Sequence, residues 1–252
     1  MARATVLGRL TWRVATVAAV RDETPGARTL VLDVPGWPGH LAGQHLDVRL
    51  TAPDGYSTQR SYSIASASGG DRLELTVELL PDGEVSPYLA GVLAPGDPLE
   101  VRGPIGGWFV WRPETPEPVQ LVAGGSGVVP LMAMIRARAA AGADAPFRLL
   151  YSAREPGTAL YRAELDRLST GGSGLEVTYA YTRRAPEGWG RPAARVDADL
   201  LARAVWPPER EPAVFVCGPT GFVETVADLL VSAGHEPGLI RTERFGPSGG
   251  RP

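Results

Sequence analysis

The strongest constraint on this chain is a change of rhythm near Trp111. Before it, apolar residues alternate over short stretches, WRVATVAAV, RTLVLDV, QHLDVRL, RSYSIAS and LELTVELL. Turn sequences such as PGWPG (35–39) and APDGY (52–56) break these stretches apart. A period of two buries one face of a strand, so this half is expected to form a small antiparallel barrel. One helix is expected inside it, capped by Ser86, because SPYLAGVL sets a serine before a proline and helically spaced apolar residues. GDPLEVRGPIG then returns to strand.

Beyond Trp111, RPETPEP (112–118) reads as an exposed linker, and apolar strands then alternate with helical segments. VQLVAG precedes VVPLMAMIRARAAAG, FRLLYSA precedes TALYRAELDRL, LEVTYAYT precedes VDADLLARAV, and AVFVCG precedes FVETVADLLVSAG. A repeated β-α order implies a parallel sheet covered by helices on both faces. The boundary is expected near residue 114, giving a barrel domain over 1–113 and an α/β domain over 114–252.

Composition narrows the function. A net charge of −3 gives no electrostatic footprint for nucleic acid or an anionic membrane. The single cysteine, Cys217, rules out an internal disulfide framework and an iron–sulfur cluster held by four cysteines of this chain. MARATVLGRLTWRV lacks a signal-peptide core and no apolar run reaches membrane-spanning length, so a cytoplasmic protein without a membrane anchor is expected. The three histidines lack metal-ligand spacing. His40 and His235 read as loop residues and His45 as a barrel residue, none with a catalytic role. Trp108 and Trp111 are expected to pack the two domains together.

Four segments carry possible chemistry. AGGSGVVP (123–130) follows the first strand of the second half and opens a helix. Its glycines let the backbone turn tightly and approach a ligand, and the helix start offers free N–H groups to phosphate, although a plain strand-to-helix turn looks the same. VFVCGP (214–219) ends the fourth strand of that half. Ligands of open parallel sheets sit beyond the carboxyl ends of the strands, so both segments point into one crevice. Cys217 alone is equally a small buried hydrophobe. In the barrel half, RSYSIAS puts Arg60 and Tyr62 on one face and Ser61 and Ser63 on the other. The arginine suits a pyrophosphate and the ring a flat heterocycle, although an edge strand with an exposed arginine accounts for both. GEVS (83–86) sets Gly83 and Ser86 at the start of the barrel helix.

Together these segments resemble the ferredoxin–NADP reductase superfamily, in its bacterial flavin-reductase branch, from roughly residue 10 to 248. R-x-Y-S appears as Arg60, Tyr62 and Ser63, and G-x-x-S as Gly83 and Ser86. G-G-x-G-x-x-P appears as Gly124, Gly125, Gly127 and Pro130, C-G-P as Cys217, Gly218 and Pro219, and a terminal E-x-F as Glu243 to Phe245. The resemblance implies a flavin reductase that takes a hydride from NAD(P)H onto bound FAD, which is favoured over FMN. Arg60 would neutralise the flavin pyrophosphate, helped by N–H groups near Ser86. Tyr62 would pack on the isoalloxazine, and Ser63 would lie near its N5. Gly124 to Gly127 would line the dinucleotide, Cys217 would sit beside the nicotinamide, and Glu243 and Phe245 would close the site. The chain shows no fused iron–sulfur motif, so a separate acceptor is implied: a ferredoxin, an oxygenase component or a small molecule.

The second strand of the α/β half ends in Ser152 and Arg154 rather than a carboxylate, with Glu155 beyond them. A hydroxyl and a guanidinium suit a 2′-phosphate, so NADPH is expected over NADH. Tyr161 and Arg162 are expected to supply a stacking ring and a second cation. Two other functions share these motifs: a nucleotide-binding regulatory subunit without turnover, and a reductase that releases free reduced flavin.

Overall fold

The computed structural model describes residues 10–170 and 174–246. The first nine and last six residues, which bear on the expectations about a leader and the C-terminal end, lie outside the described residues. The first half supplies β1 (Arg13–Thr24), β2 (Ala27–Asp33), β3 (His45–Thr51), β4 (Ser57–Ser63), β5 (Arg72–Glu78), the short helix α1 (Ser86–Gly91) and β6 (Pro98–Ile105). They pair antiparallel in the order β4-β3-β6-β1-β2-β5. A single bridge between Ile64 and Leu75 joins the outer strands and closes the barrel. Alternation does the work here: Leu73, Leu75 and Val77 of β5 point into the barrel core with Leu30, Leu32, Leu46 and Val48.

Ser86 does not cap α1, as the sequence led us to expect. It is the first helical residue, following Val85, and its Oγ accepts from the Leu80 backbone N at 3.1 Å. The hydroxyl is drawn back onto the strand end because Leu80 N lacks a ladder partner there, so Ser86 ties the loop to the helix.

The second half supplies β7 (Val119–Gly124), α2 (Val128–Ala141), β8 (Phe147–Ala153), α3 (Arg162–Thr170), β9 (Leu175–Tyr181), α4 (Ala198–Ala204), β10 (Ala213–Pro219), α5 (Thr220–Ser232) and β11 (Ile240–Phe245). The five strands are parallel in the order β11-β10-β7-β8-β9. β11 is absent from the sequence expectation because IRTERF, an edge strand, has neither an apolar run nor a clean alternation. One sheet face packs Leu121, Leu149 and Phe147 against α2, and the other packs Val122, Leu150 and Val216 against α4 and α5. The chain reverses its direction of travel across the sheet between β7 and β10, which is where an open parallel sheet leaves a crevice at its carboxyl edge.

The domains share an apolar seam. Ala27, Ala42, Ala65 and Phe109 join the core that contains Met134, Phe147 and Phe215. Trp111 is buried there, edge-on to Phe147 with centroids 5.1 Å apart, while its backbone N donates to Ala42 O. Trp108 takes a lesser part in the seam, under the guanidinium of Arg241 on β11. It is 63% exposed, on the surface beside Arg241. Among the described residues no helix is long and apolar enough to cross a membrane.

Candidate active site

On the barrel, strand pairing decides what the R-x-Y-S segment faces. Tyr62 lies opposite Leu46 and Arg60 opposite Val48, while Ser63 lies opposite His45 and Ser61 opposite Asp47. Tyr62 packs against the barrel core, and burial pushes its phenol up to about 12. It is therefore a neutral aromatic surface at any physiological pH. Arg60 is exposed and its guanidinium is shared: it donates to Thr58 Oγ1 at 3.1 Å and to Glu84 Oε2 at 2.6 Å. Tyr56 Oη and Thr58 Oγ1 also donate to the Glu84 carboxylate, at 3.3 and 3.2 Å. Three donors thus converge on one anionic group, and Arg60 is the charged one. Gly83 fits under this corner because a Cβ there would lie 3.1 Å from Leu80 O and 2.8 Å from Ser86 Oγ.

The α/β domain builds its part from backbone. Gly125 sits at φ +55° and faces open space. A Cβ on Gly127 would lie 2.1 Å from the Cys217 carbonyl oxygen, and one on Gly124 would lie 2.6 Å from the Phe222 ring. The loop after β7 therefore touches the end of β10 with no room for side chains, and its polar backbone lines the crevice beside it. That crevice, about 540 Å³, is bounded by Gly124, Gly125, Ser152, Arg154, Pro219 and Phe245, and on the barrel side by Glu78. A narrow cradle of glycine backbone at a strand-to-helix turn fits an extended phosphorylated ligand.

The two halves meet at one place. Parallel pairing sets Glu243 of β11 beside Cys217 of β10. His45, the cross-strand neighbour of Ser63, has its Nδ1 3.8 Å from Glu243 Oε1. Burial lifts the Glu243 carboxyl to about 7 and holds His45 below its ordinary value. Near neutrality His45 is thus uncharged, so the contact is a close approach of a neutral ring and a carboxyl rather than an ion pair. The Glu243 Oε2 is buried without a hydrogen-bond partner. Cys217 is buried, and desolvation together with the Glu243 charge drives its thiol well up, so it serves as a neutral packing surface rather than a thiolate.

Not every expected residue reaches the crevice. Ser152 and Arg154 do, at the end of β8. Tyr161 does not. It is 4% exposed, and its hydroxyl donates to Thr76 of the barrel, so its ring is committed to the domain seam and unavailable for stacking. Arg162 lies over the Tyr179 ring and 3.7 Å from Asp166, on the outer side of α3 and away from the crevice lining. The two neighbours do not share one environment, because Tyr161, left-handed at φ +56°, precedes α3 and turns them apart. Sequence reasoning also passed over three participants. His45 follows from pairing QHLDVRL antiparallel with RSYSIAS, which puts it opposite Ser63. Arg183 and Arg184 follow β9, and both backbone N–H groups donate to Arg154 O, at 2.9 and 3.2 Å. Arg184 also holds Glu155 at 2.5 Å.

Comparison with known proteins agrees with this division. Residues 8–110 match the oxidoreductase FAD-binding domain family, and residues 121–228 match the oxidoreductase NAD-binding domain family. Ferredoxin–NADP reductase B of Sorangium cellulosum is 36% identical over 222 residues, covering 85% of this chain and 89% of that protein. The glycine betaine monooxygenase reductase subunit of Chromohalobacter salexigens is 30% identical over 83% of this chain, which spans 56% of the subunit's length. In structure, the FAD/NAD-binding domain of a Vibrio cholerae nitric oxide dioxygenase superposes with a TM-score of 0.83 at 24% identity, covering 93% of this chain and 99% of that one, a likeness of fold. With both domain matches in order and a close reductase relative along most of its length, the chain belongs to the ferredoxin–NADP reductase superfamily and is an NAD(P)H-dependent FAD reductase.

Proposed function

We propose that the barrel over residues 1–113 holds FAD, that the α/β domain over 114–252 presents NADPH to it, and that the electrons leave to a separate acceptor. The observation that carries this reading is the meeting of His45 and Glu243 across the domains at 3.8 Å, because His45 pairs with Ser63 of the R-x-Y-S strand and Glu243 with Cys217 of the C-G-P strand. FAD, when bound, supplies a two-electron acceptor, and the dinucleotide supplies the hydride. The protein's task is to hold, orient and exclude water. Arg60 offsets phosphate charge, with backbone near Gly83 and Ser86 beside it. Tyr62 offers a neutral ring and Ser63 a hydroxyl next to it. Gly124, Gly125 and Gly127 keep the dinucleotide close to backbone N–H groups, while Gly218, Pro219 and Phe245 wall the crevice. Cys217 gives the nicotinamide an uncharged floor. Glu243, whose carboxyl burial lifts to about 7, can hold or release a proton near neutral pH, with the neutral His45 ring beside it.

Three observations support NADPH. Ser152 and Arg154 end β8 in the crevice, Arg183 and Arg184 are tied to Arg154 by backbone hydrogen bonds, and Glu155 is held by Arg184. A carboxylate committed to an arginine is a poor acceptor for a ribose 2′-hydroxyl, and the Arg154 guanidinium in the crevice suits a phosphate dianion. The reductase subunit among the relatives supports an oxygenase component or ferredoxin as acceptor. The test is kcat/KM for NADPH and NADH in wild type and Arg154→Ala. We expect the variant to lose NADPH efficiency about tenfold or more while NADH changes little. Equal use of NADH by wild type would overturn the preference, and an equal loss with both cofactors would overturn the role of Arg154.

A further inference from the structure

Hydride transfer demands that two half-sites on different domains stay in register, and strand β5 carries a device suited to that. Its inward residues Leu73, Leu75 and Val77 belong to the barrel core, so alternation turns Glu74, Thr76 and Glu78 outward, towards the α/β domain. Each of the three accepts a hydrogen bond from a different segment of that domain. Arg136 of α2 donates to Glu74 Oε2 at 2.9 Å, the Tyr161 hydroxyl donates to Thr76 Oγ1, and Ser126 Oγ donates to Glu78 Oε2 at 2.7 Å.

The ends of this rail lie beside the two motifs. Arg136 also donates to Ala65 O at 3.0 Å, two residues past Ser63, and Ser126 lies inside the loop Gly124–Gly127. The middle contact is directional. Thr29 Oγ1 donates its only proton to Glu23 Oε1 at 2.7 Å, so Thr76, 2.6 Å from Thr29, donates to it and must accept from Tyr161. The chain Tyr161 to Thr76 to Thr29 to Glu23 therefore ends on a carboxylate, in one consistent direction. Arg136 is only 15% exposed and is held on its other side by Glu164 of α3, at 2.6 Å. Its guanidinium lies over the Tyr161 ring, 5.1 Å from the centroid, so the first two contacts share one packed cluster.

We propose that the outer face of β5 is a positioning rail, with Arg136 and Tyr161 as positioning residues that set the separation of the flavin and nicotinamide sites without touching either ligand. This rests on the proposed function only in assigning the two ligands to the two domains. Side chains at i, i+2 and i+4 of a strand span roughly 13 Å, long enough for three contacts to fix both sliding and tilt of one domain on the other. Misplacement by about 1 Å costs a reaction of this kind about a hundredfold.

The test is anaerobic stopped-flow reduction of the FAD-loaded full chain at saturating NADPH or NADH, with Arg136→Gln and Tyr161→Phe. Glu74 keeps Arg21 as a partner at 3.1 Å in the first variant, and Thr76 keeps Thr29 in the second. We expect Arg136→Gln to slow the limiting rate of flavin reduction about tenfold to a hundredfold, with flavin content and dinucleotide Kd within about twofold of wild type. Tyr161→Phe should slow it about threefold to tenfold by the same cause. In calorimetry the wild type should unfold in one transition and Arg136→Gln in two. Limiting rates that stay within twofold of wild type in both variants would overturn the proposal. So would slowing that merely follows loss of flavin or dinucleotide. If Arg136→Gln fails to fold, Tyr161→Phe decides alone, with an unchanged rate counting against the rail. An Arg60→Ala protein that kept its flavin would instead strike at the assignment of the ligands, so the two failures are distinct.

Discussion

The barrel and the α/β domain build their half-sites from different materials. In the barrel the proposed site rests on side chains of β4, and the charged one, Arg60, is exposed and shared with Glu84. In the α/β domain the proposed site rests on loop backbones, pressed together until Gly127 has no room for a Cβ. A site made of side chains is tuned by its neighbours one charge at a time. A site made of touching backbones tolerates almost no change, because the obstacle is a carbonyl that cannot swing away.

The sharpest way to break this comparison is Gly127→Ala. The added methyl meets the Cys217 carbonyl at 2.1 Å, so the loop or the end of β10 must move. We expect a loss of dinucleotide affinity of about a hundredfold or more, of the order seen when strained or overpacked sites are forced apart, with FAD retained. Titration with NADPH and flavin absorbance check both halves, and a variant with normal dinucleotide affinity would show the contact to be soft.

Arg60→Ala should have the next largest effect, in the opposite half. A charge-assisted hydrogen bond contributes about 1.5–3 kcal/mol, so FAD affinity should fall tenfold or more while the dinucleotide still binds. Flavin release on dilution measures it, and full flavin retention would contradict the role.

Glu243→Gln tests the meeting point through pH. The folded carboxyl sits near 7 against an ordinary 4.5, so the native state binds this proton more tightly than the unfolded chain. The stability it contributes is complete below about 4.5 and is lost as pH rises through about 7. Glutamine is neutral throughout, so the variant should gain in Tm relative to wild type between pH 5 and pH 8. A constant Tm difference across that range would mean that Glu243 ionises normally.

The smallest effect is expected from Glu84→Gln. An exposed ion pair is worth about 0–1 kcal/mol, and its carboxylate competes with any phosphate for Arg60. FAD should bind about twofold to fivefold more tightly at low salt, with the gain fading as salt screens the charge. Weaker binding would mean that Glu84 serves the flavin rather than opposing it.

Much of this architecture was legible from pattern alone. Alternation in LELTVELL and the β-α rhythm after residue 118 need only local physics, and the two sheets follow them. What stayed hidden depends on partners distant in sequence. His45 gains meaning from lying opposite Ser63 and against Glu243, and Tyr161 from Thr76, 85 residues away. Arg162 was misread because its helical face, set by where α3 begins, cannot be told from composition. β11 was missed because an edge strand with polar residues has no periodic signature. Ser86 looked like a cap because serine before proline is the usual cap, yet its hydroxyl had a nearer backbone N–H to satisfy.

On the proposed function, one chain brings a barrel-bound FAD and a dinucleotide held by the α/β domain into reacting distance. Anaerobic mixing of the purified protein with NADPH, and separately with NADH, followed at the flavin absorption band, tests it most directly. The protein should be yellow, and its colour should bleach rapidly and stoichiometrically, faster with NADPH. A yellow protein that binds both dinucleotides and keeps its colour would contradict it.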